Sequence, residues 1–156
     1  MSALKSLNRL VGTWTTEAIH PMFPGVTVRG TAVIEWLEGE RFLIHRARTD
    51  HPQFPDSISI VGFTDRDRVD GAHGSTDVGD GDRLTMQYFD SRGVFRVLDV
   101  GMDDETWRIS RSAPGFSQRF TGTFADGGAT IAGLWELCQD DVHWHDDLRI
   151  TYRRQG

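Results

Sequence analysis

A single cysteine in 156 residues excludes an internal disulfide and any zinc site built on cysteines. That residue, Cys138, stands near the end of an apolar run with no activating neighbour, and it reads as a small half-buried side chain rather than a reactive thiolate. Positive charge is also scarce. Seventeen Lys and Arg face 23 Asp and Glu, for a net charge of −6, and no basic cluster is longer than Arg153-Arg154. A nucleic-acid partner, which needs clustered cations to displace phosphate counterions, is therefore not expected. No apolar run approaches the roughly 20 residues that span a bilayer, and residues Met1 to Lys5 carry no long apolar leader. These absences point to a cytoplasmic chain that neither crosses nor enters a membrane. Neither a Gly-x-Ser-x-Gly elbow nor a Gly-rich turn before a helix occurs, which removes the serine-hydrolase and nucleotide-binding readings.

What is present is mostly strand. At this length a chain buries roughly 70% of its unfolded surface, enough for one core, and residues 1–156 are expected to form a single domain. One segment has helical spacing: Leu4, Leu7, Leu10 and Val11, with Ser2 as N-cap and Gly12 as stop. After it, period-two alternation between turn signals predicts strands at about 12–20, 26–38, 41–49, 57–64, 83–89, 94–102, 105–111, 116–124, 130–138 and 142–153. Residues 65–82, with six Asp and four Gly, read as a loop long enough to gate a cavity. Its carboxylates Asp77, Asp80 and Asp82 do not complete a calcium-loop pattern. Ten strands joined mostly by tight turns predict an all-β, antiparallel up-and-down meander with a short N-terminal helix, closed into a barrel because closure removes both edges.

The inner face is read from alternation. Phe116, Gln118, Phe120, Gly122 and Phe124 share one face, as do Ile131, Gly133, Trp135 and Leu137, and on the last strand Trp144, Asp146, Leu148, Ile150 and Tyr152. Polar groups that interrupt such faces are the candidate site: Arg46 after Phe42 and Ile44, Tyr88 after Leu84 and Met86, Arg111 after Trp107 and Ile109, then Gln118 and Asp146, with Trp135 as apolar wall. A charge inside a barrel is costly unless it is paired or meets a ligand. The set is thus either an internal Arg–Asp pair or a ligand-orienting group. The expected function is binding of a small, largely apolar or amphipathic molecule; the alternative is an isomerase or cyclase that confines its substrate in the same cavity, with Asp146 or Tyr88 as acid or base. His143 and His145 share a face and could chelate a metal with Glu136 and Asp147, but they alternate against apolar residues and are expected to face solvent, with no metal bound. Outward Trp and Phe positions leave a homodimer open.

Gly12-Thr-Trp14 after a Leu-rich helix, the ten-strand meander and the closing Tyr152-Arg-Arg together resemble the calycin superfamily. Within it, the runs 88–93 and 114–122 resemble a bacterial family of unknown function related to nitrobindin-like and fatty-acid-binding barrels, a likeness covering nearly the whole chain. Two departures are visible. Only residues 21–25 stand where fatty-acid-binding proteins insert a helical lid, and the nitrobindin-like haem-ligating histidine aligns with Asp147 before Leu148. The resemblance implies a ligand cavity in the barrel and, as a secondary reading, a haem held by His145 two residues away.

Overall fold

The computed structural model describes residues 3–64 and 83–156. The ten expected strands are all present: β1 (Gly12–Ile19), β2 (Val28–Trp36), β3 (Phe42–Thr49), β4 (Ser57–Thr64), β5 (Arg83–Asp90), β6 (Phe95–Met102), β7 (Thr106–Arg111), β8 (Ser117–Ala125), β9 (Thr130–Cys138) and β10 (Trp144–Arg154). Each pairs antiparallel with its neighbour in sequence, and β1 pairs with β10, so the sheet closes on itself as a ten-strand barrel. Before it, α1 (Ala3–Ser6) runs into a 3₁₀ turn at Leu7–Leu10. The expected N-cap Ser2 and the 65–82 loop, with its proposed gating role and its Asp77, Asp80 and Asp82, lie outside the described residues. The strand ends flanking that loop, Thr64 and Arg83, lie at the same barrel end as Gly12 and Arg154.

That end is the base, and it is sealed by the N-terminal turn. Leu7, Leu10 and Trp14 are completely or almost completely buried, and the Trp14 indole N–H donates to the Leu10 carbonyl at 2.9 Å. The Arg154 guanidinium lies 4.2 Å above the Trp14 ring and donates to the carbonyls of Val11 and Arg9. Gly12 adopts φ +145, and a Cβ there would lie 2.5 Å from the Arg154 side chain. Both the backbone conformation and the approaching cation therefore require glycine at the head of β1.

Farther up, Phe120 lies along the inner wall between Trp107 and Trp135 of the neighbouring strands, with ring centroids 5.0 and 5.1 Å away. Its ring lies across the directly opposed glycines Gly122 and Gly133, where a Cβ would come within 2.9 and 2.5 Å of it. Gly133→Ala should therefore push the ring out of its packing and cost about 1–3 kcal/mol, as overpacking does. Gly101→Ala, where the added methyl would lie 4.0 Å from the Arg108 side chain, should be neutral or slightly stabilising. Equal melting temperatures for the two variants would contradict this packing.

The last strand departs from simple alternation. Asp146 pairs with Glu136, but Arg149 pairs with Leu134, so β10 has one more residue than β9 between these pairs. This bulge flips the parity of the strand. Leu148, Ile150 and Tyr152 point inward as expected, whereas Trp144 and Asp146, read from the sequence as inner-face residues, point outward. Trp144 is 37% exposed under the Arg119 guanidinium at 4.0 Å.

Candidate functional site

The lumen divides into a sealed half and an open half. On the base side Leu7, Leu10, Trp14, Ile34, Leu43 and Ile131 leave almost no surface uncovered. Toward the other end, the mouth, inner-face residues are only half-buried: Ala47, Tyr88, Arg96, Arg111, Gln118, Trp135, Leu137 and Ile150. Between the halves lies an aromatic floor, where Trp107 contacts Phe120, Tyr152 and His45 with centroids 5.0, 5.8 and 6.1 Å apart.

Of the expected site residues, the structure brings four to this space and places two outside. Arg111 and Gln118 are directly opposed across β7 and β8. Arg111 donates to the Phe116 carbonyl at 3.1 Å, and the buried Oε1 of Gln118 has no hydrogen-bond partner. Trp135 forms the wall beside Phe120. The Tyr88 hydroxyl donates to Asp90 at 2.7 Å, and Arg92 donates to the same carboxylate. Burial, then the Asp90 carboxylate, pushes the Tyr88 phenol up. For Asp90, burial acts to raise the pKa, but donation from Arg92, Tyr88 and two backbone N–H groups outweighs it and holds the carboxyl at about 2. Tyr88 is thus a committed donor and poorly suited to act as a base.

Arg46 and Asp146 do not face the lumen. Arg46 is 53% exposed and paired with Glu35 at 3.2 Å. Asp146 is 53% exposed and paired with Arg149 at 2.8 Å, so the internal Arg–Asp pair is absent. On β3 both faces carry apolar residues, and Leu43, His45 and Ala47, rather than Phe42, Ile44 and Arg46, line the inside, set by pairing of Leu43 with Trp36 and His45 with Ile34. The resulting inner residue, His45, was not singled out by sequence. The residue is half-buried, its Nε2 is buried without a hydrogen-bond partner among the described residues, and desolvation lowers its pKa to about 4. Register places Arg96 opposite Tyr88 and so on the inner face as well, a second residue that sequence reading missed because the exposed Phe95 and Val97 beside it supply the apolar pattern of β6.

The histidines of the last strand are engaged elsewhere or open to solvent. His143 bonds Asp140 at 2.6 Å, while Glu136 holds Arg119 and Asp147 holds His20 at 2.8 Å. No group of three or more metal-ligating side chains forms among the described residues. His145 is exposed at the rim opposite Leu137, and so stands on the inner side of the mouth; among the described residues it gathers no other ligating side chains, and its exposure gives a haem no support. Outside the barrel, Phe89 and Phe95 stack with centroids 5.1 Å apart and are 38% and 55% exposed. No helix of the described residues is long and apolar enough to cross a membrane.

No protein-family model matches the sequence, and no curated protein matches it. Solved structures do. The crystal structure of Rv2717c from M. tuberculosis superposes with a TM-score of 0.63 at 12% identity, covering 100% of this chain and 99% of that one. The S-type phycobiliprotein lyase CPES from Guillardia theta superposes with a TM-score of 0.57, also at 12% identity, over 100% of this chain and 94% of that one. Together with the closed ten-strand meander and its N-terminal turn, these matches make the fold a calycin-type barrel.

Proposed function

We propose that the barrel binds a small, largely apolar molecule in the mouth half of its lumen. The observation that carries this reading is the contrast within one interior: a base packed shut, and above it half-buried aromatic and aliphatic walls with a buried amide oxygen that no group of the described residues satisfies. A concave apolar space with a few convergent polar groups is the usual form of a small-molecule site, and an orphaned buried acceptor costs stability until something donates to it. One fold neighbour is a phycobiliprotein lyase, which is consistent with a barrel of this shape handling a small molecule. Simple binding accounts for the geometry better than an isomerase or cyclase, because Asp146 lies outside and Tyr88 is held protonated by burial and by its bond to Asp90.

N-phenyl-1-naphthylamine, a neutral dye that brightens in apolar surroundings, should bind saturably with one site per chain. Leu137→Trp, which adds bulk at the inner wall of the mouth, should weaken that binding at least tenfold. Non-saturable binding, or equal affinity in the variant, would rule out the lumen as the site. Native mass spectrometry of gently purified protein should show a retained small molecule.

A further inference from the structure

We infer that the molecule this lumen takes is an organic anion, its apolar body against Trp135 and its acidic head group held at the mouth by Arg96 and Arg111. The inference rests on the lumen-binding reading and adds the chemical class. Most arginines outside the barrel have a carboxylate beside them: Arg46 has Glu35, Arg83 has Asp99, Arg108 has Asp103, Arg119 has Glu136 and Arg149 has Asp146. The two that face inward in the mouth half do not. Among the described residues, Arg111 has only the Phe116 carbonyl, and Arg96 has only the Phe116 ring, 5.2 Å from its guanidinium carbon. Both cations therefore gather about one residue, Phe116, at the start of β8, next to the Gln118 amide with its unpartnered oxygen.

Half-buried guanidinium groups offer planar arrays of donors that match an oxyanion in two-point geometry, and partial burial strengthens the attraction over its value in water. The Gln118 amide can present either its oxygen or its N–H₂ end to the same group. Tyr88 stands opposite Arg96, and its partner Asp90 is already neutralised by Arg92 and bonded by Tyr88, so it does not compete for the inner cations. Preference for an anion cannot come from overall charge, since the chain is −6 and its mean field repels anions. Any such preference must be local.

Two dyes that share a body isolate the head group: 8-anilinonaphthalene-1-sulfonate is N-phenyl-1-naphthylamine with one sulfonate added. The wild-type protein should bind the sulfonate at least tenfold more tightly than the neutral dye. Arg96→Met and Arg111→Met should each reduce that preference and together abolish it, the ratio of the two dye affinities in each protein being the readout. Phe95→Ser, on the exposed outer patch, should alter neither. Equal affinity for the two dyes in the wild type, which requires no variant to fold, would overturn the anion assignment and leave lumen binding standing. So would a preference that survives the double substitution or follows Phe95→Ser. Failure of both dyes to bind would overturn the lumen reading and the assignment with it.

Discussion

Trp14→Ala should lower the melting temperature by about 10 °C or more, the largest loss expected from any single substitution in the barrel. The indole is completely buried, and truncation of a core tryptophan typically costs about 3–5 kcal/mol, a large share of the roughly 5–15 kcal/mol that holds a domain folded. For a chain of this size each kcal/mol shifts the midpoint by about 2–4 °C. The loss has two parts. One is apolar area and the cavity left behind; the other is the joint between the N-terminal turn and the barrel, made by the indole N–H to Leu10 and by Arg154 to Val11 and Arg9. Arg154→Met keeps the aliphatic stem over the ring but strands two carbonyl groups, at about 1–3 kcal/mol. Because Trp14 and Arg154 touch, their effects should not add: the double variant should lose at least 0.5 kcal/mol less than the two single losses combined. Thermal unfolding of the four proteins tests this, and strict additivity would show that the stacked pair does not act as a unit.

Stability should also fall as pH drops from 6.5 toward 4, through His45. An unfolded histidine titrates near 6.5, whereas burial holds His45 neutral down to about 4 in the folded barrel. Between those values the unfolded chain binds a proton that the folded chain refuses, so stability rises with pH across this window and is complete above it. The expected loss on going from pH 7.5 to pH 4.5 is about 2–3 kcal/mol, the free-energy equivalent of that difference in proton binding. His45→Leu removes the titrating group and should flatten the profile there, so that the variant gains on the wild type as the solution is acidified. Below pH 4 both proteins should decline together, since Asp90 and Asp140 are held at about 2 by the groups that donate to them and lose that contribution as they protonate. Denaturant midpoints at pH 7.5, 5.5 and 4.5 measure the slopes, and parallel slopes for the two proteins would exclude His45 as the cause.

The strands were legible because each is bounded by residues with a physical reason to turn, and every strand end lies within two residues of its expected place. Inner and outer faces were legible only where one face is plainly apolar. On β8 and β9 the aromatic and glycine positions alternate cleanly with polar ones, so Gln118 and Trp135 were placed correctly on the inner side. On β3 the sets Phe42, Ile44, Arg46 and Leu43, His45, Ala47 are equally plausible insides. The pairing of Trp36 with Leu43 across the hairpin decides between them, and that register depends on a five-residue connection whose geometry alternation does not encode. The bulge in β10 is harder still, since one extra residue reverses the strand without altering the composition that alternation is read from. Asp147, at the bulge, is held by His20 from the connection after β1, a contact between the two ends of the chain. The polar groups of the lumen are therefore only half visible in the sequence: Arg111 and Gln118 stand out, while Arg96 at the rim and His45 in the floor require the register of their neighbours.

The pairing of β1 with β10 has a consequence for how the protein is made. Contacts such as Gln155 to Thr15 join residues 140 apart, so on a ribosome β1 waits for the other nine strands to emerge before it meets its second neighbour. Throughout that interval the nascent meander has two bare margins, β1 and whichever strand has most recently emerged, each with a row of unpaired amides able to recruit another chain. The final ring has no such margin. A chain halted before Trp144 is consequently not a smaller barrel but an open, adhesive sheet, and protection from aggregation arrives only with the last strand.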